Sequence, residues 1–96
     1  MSKSFKAFLG GEDVIIEKLS YNANGRIALQ AYDMEGMPYA TLTVNIPNCP
    51  LGDDEIIINH DVFYLIPEMV EQEIIEMTTR GTQSGFVEFP ICKLLK

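Results

Sequence analysis

The stretch "RIALQAYDMEGMPYATLTVNI" (residues 26–46) contains two runs in which apolar and polar side chains alternate. In the first run the apolar positions are Ile27, Leu29 and Ala31, and the same period of two recurs over residues 40–46. Such alternation is typical of a β-strand with one buried face. Between the runs, "MEGMP" supplies a glycine and a proline where the chain must reverse. The stretch therefore predicts an antiparallel hairpin and a fold built on sheet.

Four further sheet segments are predicted outside this hairpin. Two of them flank Gly10-Gly11, because glycine adopts the positive φ that a tight two-residue turn requires. Two prolines and a glycine within residues 47–52 take the chain out of the sheet, and it returns at Ile56–Ile58. Residues 78–86 are predicted to be a polar loop. The last segment, "FVEFPICKLL", is predicted to be an edge strand, because Pro90 has no N–H to donate.

After Asp61 the apolar period becomes helical. Asp61 can serve as an N-cap, and the apolar residues Val62, Leu65, Ile66 and Met69 then follow at helical spacing. Pro67 either begins a second helix or kinks a single one. Acidic residues in the first turn favour a new helix over about residues 67–73. Residues 74–77 can either continue that helix or begin another strand.

Together these elements predict an α+β fold: a mostly antiparallel sheet of about five to six strands with one or two short helices on one face. A chain of 96 residues, 47% of them hydrophobic, is long enough for one domain over residues 1–96. Its apolar runs are too short to span a membrane, and its N-terminus lacks the features of a signal peptide. We therefore expect a cytoplasmic protein that does not bind membranes.

The charge of the chain is distributed unevenly. The net charge is −7, yet most of the excess lies between residues 53 and 76, where no Lys or Arg occurs. The carboxylates of this segment are Asp53, Asp54, Glu55, Asp61, Glu68, Glu71, Glu73 and Glu76. A negative field of this kind repels nucleic-acid phosphates and attracts basic protein surfaces. The segment is therefore either a solvated surface or a partner-binding face, and direct nucleic-acid binding is disfavoured.

Catalytic and metal-binding patterns are weak. His60 lies among carboxylates, but the spacing matches no calcium loop, and a strand over residues 55–58 would direct Glu55 and His60 to opposite faces. Neither Cys49 nor Cys92 has a base placed by the sequence to activate it, and no glycine-rich phosphate loop precedes a helix. We expect no catalytic residues, no bound metal and no cofactor. A small metal-dependent enzyme remains a third hypothesis.

Three motifs resemble a small family of uncharacterised bacterial proteins carried on conjugative elements, plasmids and phages. They are "NGRIALQ" (residues 24–30), "PYATLTVN" (residues 38–45) and "SGFVEFP" (residues 84–90). The resemblance implies a mobile-element protein in a bacterial cytoplasm. It implies no reaction and no catalytic residues.

These observations lead to one principal functional hypothesis and one alternative of a different class. The first is a non-catalytic acidic binding protein of a mobile genetic element. It would inhibit a host nucleic-acid-processing defence enzyme, as anti-CRISPR and antirestriction proteins do, by placing carboxylates in a basic nucleic-acid channel. The alternative is a structural or regulatory module that forms a homodimer through an exposed strand edge, such as residues 85–90.

Overall fold

The computed structural model describes residues 3–96, which form eight strands, a 3-10 helix and one α-helix. The strands are β1 (Lys3–Leu9), β2 (Glu12–Ser20), β3 (Ile27–Asp33), β4 (Pro38–Thr41), β5 (Thr43–Val44), β6 (Glu55–Ile58), β7 (Ile75–Ser84) and β8 (Val87–Leu94). The 3-10 helix (His60–Leu65) and helix α1 (Ile66–Glu71) follow one another between β6 and β7. Within residues 3–96, no helix has both the length and the apolar character needed to span a membrane.

The strands form two four-stranded antiparallel sheets. Sheet 1 has the order β1-β2-β3-β4, and sheet 2 has the order β5-β6-β8-β7. The mostly antiparallel α+β architecture is confirmed, and so are the β1–β2 hairpin at Gly10-Gly11 and the β3–β4 hairpin. The expected five to six strands were too few. One predicted strand is divided in two, and most of the predicted polar loop over residues 78–86 belongs to β7.

The division occurs at Leu42, which joins the two sheets. Its N–H donates to the carbonyl oxygen of Leu29 in β3 at 3.0 Å, and its own carbonyl oxygen accepts from the N–H of Asn59 at 2.9 Å. The side chain of Leu42 is fully buried. The next residue, Thr43, is also buried, and its hydroxyl bonds to the N–H of Leu29 and to the hydroxyl of Tyr21. The alternation predicted across residues 40–46 therefore fails at this point.

The main core lies between the inner faces of the two sheets, with helix α1 in contact with both β1 and β7. Its fully buried side chains include Leu9, Ile16, Leu29, Ile58 and Leu65. A smaller core on the opposite face of sheet 2 contains Cys49, Ile57 and Ile91. Because β6 is buried on both faces, its run of three isoleucines is continuous and does not alternate with polar residues.

Two arginines hold the segment that covers the smaller core. Arg26 donates to the carbonyl oxygen of Ile46 at 2.9 Å and also to that of Cys49. Arg80 donates to the carbonyl oxygen of Pro50 and to the carboxylate of Glu55. Backbone carbonyls that lack a strand partner are thereby paired with charged donors.

Three further local predictions were wrong or displaced. Asn59, and not Asp61, caps the first helical turn, since its side chain accepts from the N–H of Asp61. Helix α1 covers residues 66–71 and not 67–73, and residues 75–77 are strand. Strand β8 is not an edge strand at residues 91–93, because β6 and β7 flank it there. The outer strand on this side of sheet 2 is β7. Pro90 lies beyond the end of β6, where the ladder needs no donor.

Replacement of Leu42 by Ala tests whether this joint supports the fold. Leu42→Ala leaves a cavity at the junction of the two sheets, and we expect the free energy of unfolding to fall by about 2–5 kcal/mol. Chemical denaturation followed by circular dichroism measures the change. Leu19→Ala, at a partly exposed position of β2, is the control and should cost less than about 1 kcal/mol. Equal losses for the two variants would contradict the special role of Leu42.

Candidate functional site

The acidic residues predicted to form one surface lie in different parts of the molecule. Asp53 and Asp54 precede β6, and Glu55 begins it. Glu55 and Glu76 each lie opposite Lys93 in the strand register, one on either side of β8. These four carboxylates therefore surround the end of β8, and Lys93 lies among them.

Lysine and arginine partly neutralise this group. Lys93 lies 3.7 Å from a carboxylate oxygen of Asp54, and Arg80 binds the carboxylate of Glu55. The N–H of Gly52 donates to Glu55 at 2.7 Å, and this bond, followed by the guanidinium of Arg80, lowers the pKa of Glu55 below its ordinary value. Glu55 therefore fixes the turn before β6, and little of its side chain remains for a partner.

Glu71 and Glu73 lie at the C-terminal end of helix α1. The N–H groups of Glu73 and Ile74 donate to the carbonyl oxygens of Val70 and Met69, which is a Schellman ending of the helix. Glu73 occupies the left-handed position with a φ of 59°, where glycine is usually favoured. Both carboxylates are exposed.

The last two predicted residues, Glu68 and Asp61, lie elsewhere. The carboxylate of Glu68 accepts from the N–H of Gly10 at 3.2 Å, which places it against the β1–β2 turn. Asp61, in the first turn of the 3-10 helix, lines a shallow depression together with Tyr39 and Tyr64. The structure thus divides the predicted set between the end of β8, the end of α1 and the region around Tyr39.

Four carboxylates that the sequence did not single out line a groove at the turn end of sheet 1. They are Glu12, Asp13, Asp33 and Glu35, and the groove, with a volume of about 400 Å³, also includes Met34. The β2–β3 register pairs Val14 with Asp33, which brings the start of β2 beside the end of β3. A prediction that the two hairpins pair with each other through β2 and β3 would have brought these four carboxylates together from the sequence.

Tyr39 lines the depression and is also affected by the charge of Glu12, a residue of the groove. Its hydroxyl donates to the carbonyl oxygen of Leu9 at 3.1 Å, and a Cβ atom at Gly10 would collide with that hydroxyl. Burial raises the pKa of Tyr39, and the charge of Glu12, the phenol of Tyr64 and the charge of Glu68 raise it further. These groups are therefore close enough to act on one phenol.

The acidic belt, as we define it, consists of the four carboxylates of the groove and two further carboxylates near Tyr39: Glu12, Asp13, Asp33, Glu35, Asp61 and Glu68. Within residues 3–96, none of the six carboxylates forms an ion pair with Lys or Arg. No Lys or Arg is among the described residues that line the groove or the depression. Lys6 of β1 lies opposite Ile15 and is therefore a diagonal neighbour of Asp13, which pairs with Phe8. Lys3 and Lys18 face each other at the opposite end of sheet 1, six residues further along the strands, or about 20 Å away. The belt therefore carries six carboxylates without an ion pair to Lys or Arg, and the base beside it in the register of sheet 1 is Lys6.

Both cysteines are buried in the part of the chain that the structure covers. No three His, Cys, Asp or Glu side chains in residues 3–96 are grouped to hold a metal ion. Burial raises the pKa of the Cys92 thiol to about 11, so that it stays protonated and is a poor nucleophile at neutral pH. Cys49 is buried in the smaller core.

Comparison of the chain with protein-family models, with curated proteins and with solved structures finds no match. The family resemblance of the three sequence motifs therefore stays a prediction, and the functional argument rests on the geometry of the chain itself.

The low pKa of Glu55 predicts how stability depends on acidity. Its carboxylate takes up a proton at lower pH in the folded state than in the unfolded state, so the stability it contributes is present above about pH 4.5 and is lost as the pH falls through the folded pKa. Glu55→Gln should therefore flatten the loss of unfolding free energy as the pH falls below about 4.5. Arg80→Met should flatten it only in part, because the bond from Gly52 remains. Urea denaturation at each pH measures the slopes, and identical slopes for Glu55→Gln and the unmodified protein would contradict this role.

Proposed function

We propose that this protein is a non-catalytic acidic binding protein whose acidic belt docks on a basic protein surface. The observation that carries the proposal is the belt itself: four carboxylates line one groove, Asp61 and Glu68 lie near Tyr39, and none of the six forms an ion pair with Lys or Arg within residues 3–96. Like charges held together without compensation destabilise a fold. A partner of opposite charge relieves this cost on binding.

The side chains around the belt support an interface. Met34, Met37 and Tyr64 are each more than half exposed, although they are large and apolar or aromatic. Tyrosine and methionine are enriched in protein interfaces, where they supply contact area, and methionine adapts its shape to a partner. Charge at the belt would steer a basic partner, and these side chains would supply apolar contact.

The partner class that we propose is an enzyme with a basic nucleic-acid channel, and the biological role is inhibition of a host defence nuclease. A row of carboxylates presents the same sign of charge as a phosphate backbone, so both compete for the same lysines and arginines. The mobile-element context implied by the three motifs supports this role. The proposed surface differs from the originally predicted one: it keeps Asp61 and Glu68 and adds Glu12, Asp13, Asp33 and Glu35.

Competition with DNA tests this function. Purified RNA-guided and restriction nucleases are loaded with fluorescent DNA, and the protein is added at about 50 and 200 mM salt. For a true target we expect displacement of DNA that is at least tenfold weaker at the higher salt. Glu12→Lys and Glu35→Lys should each weaken displacement at least tenfold, because each reverses a charge within the belt.

Matched charge reversals outside the belt provide the controls. Glu88→Lys, on an exposed position of β8, should leave displacement within twofold of the unmodified protein. Asp54→Lys should also have a small effect, because Lys93 already pairs with Asp54. If Asp54→Lys weakens displacement more than Glu12→Lys does, the working surface is the originally predicted one. If no nuclease in the panel binds at the lower salt, the proposed partner class is wrong.

A homodimer is the second candidate, and the outer strand β7 favours it. The β7–β8 hairpin continues beyond the end of β6, and Phe86 at its tip is fully exposed. An edge strand with an exposed aromatic residue can pair with a second copy. Light scattering over a hundredfold concentration range distinguishes the candidates, because a constant monomer mass rules out the dimer.

A further inference from the structure

We infer that the depression beside the 3-10 helix is a binding site for one arginine side chain of the partner. This inference rests on the proposed function and deepens it, since it assigns a specific ligand group to one part of the acidic belt. The depression has a volume of about 320 Å³, and its polar lining consists of Tyr39, Tyr64, Asp61, Asn59 and Thr41. This size lies at the lower end of small-ligand pockets and suits a single side chain.

Three of the four side chains that can donate hydrogen bonds in the depression already do so within the protein, and the fourth is Tyr64. The side-chain amide of Asn59 donates to the carbonyl oxygen of Thr41 at 2.9 Å, and the hydroxyl of Thr41 donates to Gln30 at 2.7 Å. The hydroxyl of Tyr39 donates to Leu9. A ligand rich in acceptors, such as a phosphate or a carboxylate, would therefore find few donors here.

The acceptor capacity, in contrast, remains available. The side chain of Asp61 is 87% exposed, and Nδ1 of His60 lies 4.0 Å from its carboxylate oxygen. Glu12 and Glu68 add negative charge close to Tyr39. The depression thus favours a cation that brings its own donors.

Arginine fits this arrangement better than lysine does. Its guanidinium is planar, carries five N–H donors and binds a carboxylate through two parallel hydrogen bonds. It also stacks on aromatic rings and is less strongly hydrated than an ammonium group. Tyr64, with 67% of its surface exposed, and Tyr39 place two aromatic rings on the same depression as Asp61.

A titration with short peptides tests the site without the unidentified partner. The probes are the acetylated and amidated pentapeptide Gly-Gly-Arg-Gly-Gly and its counterparts with lysine or citrulline in the centre. Citrulline keeps the shape of arginine but carries no charge. Chemical shifts of the ¹⁵N-labelled full chain are followed by NMR at neutral pH and low salt. We expect saturable shifts at residues 39–41 and 59–64 with the arginine peptide, at least fivefold weaker binding of the lysine peptide and at least tenfold weaker binding of the citrulline peptide.

Variants of the exposed residues confirm the assignment without risk to the fold. Asp61→Asn and Tyr64→Ala should each weaken binding of the arginine peptide at least fivefold. Tyr64→Phe keeps the ring and should bind within twofold of the unmodified protein. Asp53→Asn, an exposed acid outside the depression, should have no effect.

Two results would overturn the inference. One is the absence of saturable shifts around Asp61 and Tyr64. The other is that the arginine and lysine peptides bind with equal affinity and shift the signals near every exposed carboxylate. Either result leaves the DNA-competition assay free to succeed, in which case the belt binds its partner through charge alone. A selective arginine site together with failed competition would instead retain the depression and reject the nuclease partner.

Discussion

The backbone of Leu42 is the constraint on which the rest of the structure depends. Its N–H belongs to the hydrogen-bonding pattern of sheet 1, and its carbonyl oxygen bonds to the residue that follows β6 in sheet 2. One residue therefore sets the position of both sheets, and its buried side chain contributes to the core between them. As a result, residues 39–41 at the edge of sheet 1 lie beside residues 59–64, which begin the helical segment. The depression around Tyr39 exists because of this joint.

Helix α1 ties the open side of sheet 1 to the core, and this tie also shapes the acidic belt. The side-chain amide of Gln72 bonds to both the N–H and the carbonyl oxygen of Phe8, each at 2.7 Å, in the manner of a neighbouring strand. Glu68 binds the N–H of Gly10 from the same segment. The contact protects part of the exposed edge of β1. It also holds the carboxylate of Glu68 in place, so Glu68 both stabilises the fold and contributes charge to the belt.

The charge of the acidic belt and the shape of the depression have different roles in the proposed interface. A belt of carboxylates without ion pairs to Lys or Arg acts over distances of about one Debye length and mainly raises the rate at which a basic partner arrives. Such a belt discriminates poorly between basic surfaces. A depression that pairs Asp61 with two tyrosine rings selects by shape and hydrogen-bond geometry, which charge alone does not provide. The two features lie side by side, so a single docking event can use both.

The sequence by itself determined the sheet-rich class, the two N-terminal hairpins and the excess of negative charge. Alternation over residues 26–32 and the Gly10-Gly11 turn are local signals, and they depend on backbone geometry that each segment carries with it. Tertiary structure decided where the charge is concentrated. The carboxylates counted along residues 53–76 are separated by strand and helix ends, and Lys93 and Arg80 reach two of them from β8 and β7. Glu12 and Asp33, twenty-one positions apart, become neighbours through the register of β2 and β3. Register depends on long-range packing, which a count of charges along the chain does not contain.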